Sequence, residues 1–324
     1  MVVRRRFASP ISLVAAVCIA ANSTGARKID TSSLWIEPPN IESRDLFYGP
    51  GGPDHAPRHM EFQFVKEDTD GTHPKYIVVD ADGIKWKMKL GDEARSETAS
   101  SRLVWATGYY TKEDYFLASA YLLSLPSQLR RGRNEVGPTG DVHHIRLTRI
   151  EPGKKVGIWQ WKDSPFAGTR EFNGLRVLMA VMNNWDLKDL NNAIVQRPDG
   201  TQIHMVSDLG ASFGAGVLDS KAHLSGYRES SFIVSSSAQT VDFSVPGRAV
   251  FVESLLPPVY LRRTKLRWIG KDIPREHARW MGEILAQLSS TQLHDIFKAS
   301  GFSPDECDGF AEVLEKRISA LRAL

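Results

Sequence analysis

The sequence predicts an α+β fold, a small strand-rich part followed by a mainly helical one. Strand-length runs crowd between residues 61 and 90, helical stripes fill the stretch from Trp280 to Leu321, and no regular strand–helix alternation links them. A chain of 324 residues, 42% hydrophobic, can bury a large core and suits one two-lobed unit or two domains. The organisation expected is a leader at 1–26, an irregular arm at 27–60, a sheet-rich part at 61–163 and a helical part at 164–324.

Arg4, Arg5 and Arg6 precede a short apolar run, Ile11–Ala21, and small residues ending at Gly25-Ala26. Basic start, apolar centre and small residues at the cut are the features of a secretory signal peptide. The expectation is an exported protein, periplasmic or secreted. The run is shorter than the roughly 20 residues a membrane span needs, so the mature chain is expected to have none. Cleavage near Ala26 would leave Cys307 as the sole cysteine, excluding an internal disulfide. The same three arginines account for the whole net charge of +3. A near-neutral body gives no electrostatic case for nucleic acid.

The arm is punctuated by Glu37-Pro38-Pro39 and Tyr48-Gly49-Pro50-Gly51-Gly52-Pro53, irregular material. Strands are expected at Glu61–Lys66, Lys75–Asp80 and Ile84–Leu90, with turns at Glu67–Pro74 and Ala81-Asp82-Gly83. In the third, Ile84, Trp86, Met88 and Leu90 alternate with Lys85, Lys87 and Lys89, which on pattern alone read as a solvated face. Asp92 is placed to cap a helix from Glu93 to Thr107, stopped by Gly108. Glu93 and Glu97 share one face of it, and a helix start favours acids in any case. His144–Ile150 and Val156–Trp161 read as strands joined by a turn at Glu151-Pro152-Gly153. Arg170–Met182 is apolar around most of its girth, a buried helix, and Gln202–Val206 is a short strand. Near the end, Ser303-Pro304-Asp305-Glu306 is a capping box opening a last helix.

Between the buried helix and just beyond the short strand lie Asp186-Leu187-Lys188-x-x-Asn191 and Asp208-Leu209-Gly210. Phosphoryl transfer asks a protein mainly for positioning and for cations around the phosphates, and this spacing can supply both. The pair of motifs resembles the catalytic loop and metal-binding Asp-Phe-Gly of the protein kinase-like superfamily, with Leu209 in place of Phe. The resemblance implies a bilobal fold, a small antiparallel-sheet lobe on a mainly helical one. It implies that Asp186 orients an acceptor hydroxyl and takes its proton, that Lys188 steadies the γ-phosphate, and that Asn191 and Asp208 hold Mg²⁺ or Mn²⁺ beside ATP. Upstream, Lys89-Leu90-Gly91-Asp92-Glu93-Ala94-Arg95 is similar to the strand ending of phosphatidylinositol 3- and 4-kinases. That likeness makes Lys89 the phosphate-contacting lysine, with Glu97 its first-choice carboxylate and Glu93 the second. Gly71, the single glycine of Asp70–Pro74, falls where the loop over the nucleotide belongs.

The departures from the common protein-kinase pattern are a missing Gly-x-Gly-x-x-Gly, Trp185 before Asp186, and no Ala-Pro-Glu downstream. They point to an atypical branch, lipid-kinase-like or secreted-kinase-like, whose acceptor is open between protein, lipid and small molecule. Two other readings compete. A kinase-shaped pseudoenzyme would bind a partner or nucleotide without turnover. A serine hydrolase would use Gly210-Ala211-Ser212-Phe213-Gly214 as a nucleophile elbow, with Asp272, His277 and His294 as triad candidates. The histidine pairs His55/His59 and His143/His144 read as surface residues, and the eight tryptophans as packing.

Overall fold

A computed structural model describes residues 29–69, 71, 73–215, 221–245 and 265–324. The expected leader at 1–26 lies outside them. The architecture is α+β.

Five strands, β1 (Glu61–Glu67), β2 (Lys75–Val79), β3 (Lys85–Leu90), β4 (Asp114–Leu123) and β5 (Asp141–Arg149), close a barrel in the order β1-β2-β3-β5-β4. The pairs are antiparallel except β1 with β4, which run parallel with Glu61 opposite Tyr121. An all-antiparallel sheet was expected; the parallel seam is what removes the free edge. Inside are Phe62, Tyr76, Val78, Trp86, Met88 and Leu147, all fully buried. Asp80 fixes the β2–β3 turn by accepting from the backbone of Asp82 and Ile84 and from Trp86 Nε1 at 2.8 Å. The ten-residue β4 has no counterpart among the sequence expectations, because Ala118, Ser119 and Ala120 break its β-propensity and its apolar run does not alternate.

A second buried cluster gathers helices and the arm. Helix α1 (Gly52–His55) is a single turn in that arm, and α2 (Glu93–Ala106) follows β3 directly. Leu34, Trp35, Ile41 and Leu46 of the arm belong to this cluster, and Trp35 Nε1 donates to the Thr107 carbonyl at 2.7 Å. Asp92 precedes α2 but does not cap it. Its backbone is already helical, and its carboxylate takes His144 Nδ1 at 2.9 Å and Lys221 Nζ at 3.3 Å instead.

The turn at 151–153 was expected to make a hairpin. It links two sheets instead: β6 (Lys154–Gly157) pairs with β7 (Asn192–Gln196), which pairs with β8 (Gln202–Val206). Between β6 and β7 runs α3 (Arg170–Val181), buried as expected and capped by Thr169 Oγ1, which accepts from Phe172 N. Helix α4 (Leu224–Glu229) and strands β9 (Ile233–Ser236), β10 (Thr240–Phe243) and β11 (Ile273–Pro274) follow. The chain then runs through α5 (Arg275–Leu285), α6 (Ser290–Lys298) and α7 (Pro304–Arg322), with the Ser303–Glu306 box formed as read. Rings of Phe213, Tyr227, Phe297 and Phe310 interlock beneath α7, the Phe297–Phe310 pair stacked at 4.9 Å. Arg317 of α7 is buried and donates to the carbonyls of Ala180 and Val181, the last of α3. The same carbonyls also accept from Asn183 N at 2.9 Å and Tyr227 Oη at 2.6 Å, so Arg317, 137 positions from Ala180, is one of three donors that finish the helix. Among the described residues no helix is long and apolar enough to cross a membrane.

Candidate functional site

Lys89 sits on the outer face of the barrel, where β3 meets α2. It is 2% exposed, so one of the three lysines read as a solvated face is interior. Its ammonium lies 2.6 Å from Glu93 Oε2, 2.8 Å from Glu97 Oε2 and 3.9 Å from Asp208 Oδ1. Glu93 and Glu97 are one turn apart on α2, so both carboxylates descend on the same ammonium. Both carboxylates weighed for Lys89 therefore hold it.

Behind Glu97 stands a second cation. Arg146 of β5 lies directly opposite Lys89 and binds Glu97 Oε1, with its Nε 3.6 Å from Asp114 Oδ1. Asp114 also accepts from Thr148 Oγ1 at 2.5 Å. Glu97 thus bridges two buried cations. Burial pulls the Arg146 pKa down to about 10, and the charges of Asp208 and Glu93 oppose that shift. Removing one member would strand the others without water, which is costly.

Helix α2 is also bolted to the Asp208-Leu209-Gly210 segment. Ser96 Oγ donates to the Gly210 carbonyl at 2.6 Å and Ser100 Oγ to that of Leu209 at 3.3 Å. A Cβ at residue 210 would lie 3.0 Å from Glu93 Oε2, so glycine is what lets the helix start approach this closely. Lys112 Nζ donates to the Ser207 carbonyl at 2.6 Å from the other side.

The Asp186 loop runs alongside the same segment. Trp185 N donates to the Ala211 carbonyl at 3.1 Å and Ser207 N to the Asn191 carbonyl at 2.7 Å, the open end of the β7–β8 hairpin. Within the loop, Lys188 Nζ is 2.8 Å from the Asp186 carboxylate. Asn191 Nδ2 donates to the Asp186 carbonyl at 2.6 Å and closes the turn. Asp189 Oδ1 accepts from Trp161 N at 3.0 Å, and Leu190, next in the chain, is 73% exposed. So Lys89, Glu97 and Asp208 share one cluster, and the Asp186–Asn191 loop is laced to the strand end that delivers Asp208. Gly71 lies in the β1–β2 loop with φ +70° and its carbonyl accepts from Arg131.

Carboxylate atoms of Glu93, Glu97 and Asp208 lie within 4.8 Å of one another, a spacing a metal ion can use. Lys89 already occupies two of the three. Asp208, 45% exposed at its side chain, is the one open to solvent. Burial works to raise the Asp208 pKa, but Lys89 and, more weakly, Lys112 and Arg146 outweigh it and hold it below the usual value. Glu93 goes further. Burial raises it, yet the hydrogen bond from His73 at 3.0 Å and the charge of Lys89 hold it at about 2, against an ordinary 4.5. A folded pKa below the unfolded one stabilises the fold above pH 4.5, and that contribution is lost as pH falls toward 2. The shift corresponds to roughly 3 kcal/mol. Glu93→Gln is expected to flatten the acid-unfolding curve across that window, followed by circular dichroism; an unchanged curve would mean that the contact is not made in solution.

The hydrolase reading fails on burial. Ser212 is fully buried, and His277 and His294 have other partners, Asn173 at 3.0 Å and Asp308 at 2.7 Å. Asp272 is bound through its backbone N to Asp242. The residue with left-handed backbone is Phe213 (φ +57°), and a turn, not a helix, follows Ser212. An elbow needs the serine exposed on a strand-to-helix turn.

Arg146, Asp114, Lys112 and His73 were not singled out from sequence. Arg146 alternates with Ile145 and Leu147, as any outward polar strand residue does; only the β3–β5 pairing puts it beside Glu97.

No protein-family model and no curated protein sequence matches the chain. Among solved structures it superposes on a Helicobacter pylori proinflammatory kinase, CtkA, with TM-score 0.43 and 10% identity, over 82% of this chain and 97% of that one. The Golgi casein kinase superposes with TM-score 0.35 and 10% identity, over 82% and 72% respectively. Both overlaps are loose, and the site rests on its own side chains.

Proposed function

We propose that this protein is an atypical kinase-like phosphotransferase, with a barrel lobe on a mainly helical lobe, that moves the γ-phosphate of ATP to a hydroxyl acceptor. One observation carries the reading: a buried lysine clasped by two helix carboxylates, with the Asp of an Asp-x-Gly 3.9 Å away. Lys89 would contact the phosphates, kept in place by Glu93 and Glu97. Asp186 would receive the proton of the acceptor hydroxyl as its oxygen bonds to the γ-phosphorus and the bridge to ADP breaks. Lys188, 2.8 Å from Asp186, would steady the phosphate in flight. Asp208 and the Oδ1 of Asn191 are hard oxygen donors that fit Mg²⁺ or Mn²⁺. A bound ion would neutralise charge on the phosphate oxygens. The protein would be exported, on the basic start and apolar run of residues 1–26.

Binding and turnover separate experimentally. Millimolar ATP with Mg²⁺ or Mn²⁺ is expected to raise the melting temperature, since ligand at a hundred times its Kd adds about 2.7 kcal/mol. No shift with either ion would overturn nucleotide binding. A shift without transfer of labelled γ-phosphate to any acceptor, water included, would leave a pseudoenzyme.

A further inference from the structure

Both carboxylates that hold Lys89 ride on the first turns of α2, so whatever fixes that end of the helix fixes the clasp. Arg95 ends the Lys89–Arg95 motif and takes no part in the phosphate chemistry above. It lies two residues from Glu93 and two from Glu97, about 200° around the helix from each, so its side chain leaves on another face. Its Nη2 donates to the Gly301 carbonyl and to Glu306 Oε2, both at 2.9 Å. The guanidinium carbon lies 3.9 Å from the centre of the Phe302 ring, well within cation–π range. All three partners belong to the turn between α6 and α7 and the opening of α7.

That turn is braced on several sides. Gly301 has φ +75°, and a Cβ there would collide with the Phe116 ring of β4. Phe302 rests edge-on against Phe297 at 5.7 Å and Phe310 at 4.9 Å. Glu306 Oε2 also accepts from Ser303 N at 2.8 Å. Burial works to raise the Glu306 pKa, but the Ser303 backbone and Arg95 outweigh it and hold it below the usual value. The far end of α2 is held by the arm, through Trp35 Nε1 on the Thr107 carbonyl and Arg44 at 4.6 Å over the Trp105 ring.

We propose that Arg95 is a positioning residue for the nucleotide site: seated on the α6–α7 turn, it fixes the start of α2 and with it the grip of Glu93 and Glu97 on Lys89. This rests on the ATP reading above. The Arg95 and Glu306 side chains are 24% and 38% exposed, and ion pairs so open to water add little to stability. The contribution is to geometry. A change in the placing of α2 is bounded by the free energy of the contacts that hold it, so the effect on ligand is moderate.

The test is calorimetric titration of wild type, Arg95→Met, Arg95→Lys, Glu306→Gln and the Arg95→Met/Glu306→Gln double variant with ATP–Mg²⁺ and with adenosine. Titrations run well below the melting temperature, with folding checked by circular dichroism. Arg95→Met is expected to weaken ATP about tenfold, and Glu306→Gln, which keeps the capping box but not the charge, about threefold. Adenosine has no phosphates for Lys89 to meet, and its affinity should stay within about twofold. The double variant should lose no more than Arg95→Met alone, and Arg95→Lys should recover part of the loss. A guanidinium that only adds stability would leave the ATP affinity of folded Arg95→Met unchanged. That result sinks the Arg95 role and leaves the phosphotransfer reading standing, as do additive losses in the double variant or equal losses for ATP and adenosine. Should Arg95→Met fail to fold, an unchanged ATP affinity in Glu306→Gln sinks it in the same way. Wild type that binds no ATP sinks both readings.

Discussion

Asp208→Ala is expected to lower transfer of phosphate from ATP by about a thousandfold or more, the scale seen when charge stabilisation at a reacting centre is removed. The fold should hardly notice. Asp208 is 45% exposed, and its nearest cation, Lys89, keeps Glu93 and Glu97 after the change. No buried charge is stranded, so the melting temperature should stay close to that of wild type. Incorporation from γ-labelled ATP measures the rate; wild-type labelling by the variant would refute the metal role.

Arg146→Met should do the opposite, costing stability first. Arg146 is 2% exposed and sits between Glu97 and Asp114, so its loss leaves two carboxylates in the interior with a cation removed. Breaking a buried pair from one side costs about 3–5 kcal/mol. Denaturant unfolding should show the free energy of unfolding in water lower by that amount, as a lower midpoint with an unchanged slope. A midpoint within experimental scatter of wild type would mean that water reaches the cluster. If the variant can be held folded at low temperature, Glu97 should still pair with Lys89, and ATP binding should survive better than stability does.

The elements that sequence makes legible here are those with a local cause. Helix α3 and its successor motif, strand β8 and the Ser303 capping box each carry their signal within a dozen residues. The α+β class follows from the same local signals. Pairing that joins distant segments was not legible. Nothing near Glu61 announces that β1 will lie parallel to β4, and nothing near Glu151 says that β6 belongs with β7. The site divides the same way. Lys89, Glu97, Asp186, Asn191 and Asp208 lie in recognisable short motifs, whereas Arg146 acquires meaning only from cross-strand register. Lys89 is the instructive case: alternation alone sends it to solvent, and only α2 docking on the barrel makes it interior. Asp92 does not cap α2 for a related reason: its carboxylate is recruited by His144 and Lys221, both remote in sequence.

Arg317 ties the end of α3 to the last helix of the chain. The Asp186 loop leaves directly from that end, where the Ala180 and Val181 carbonyls accept from Asn183 N, from Tyr227 Oη and from the Arg317 guanidinium. The loop that carries Asp186 should therefore feel the docking of the terminal helix through one buried guanidinium, beside two donors that come from elsewhere.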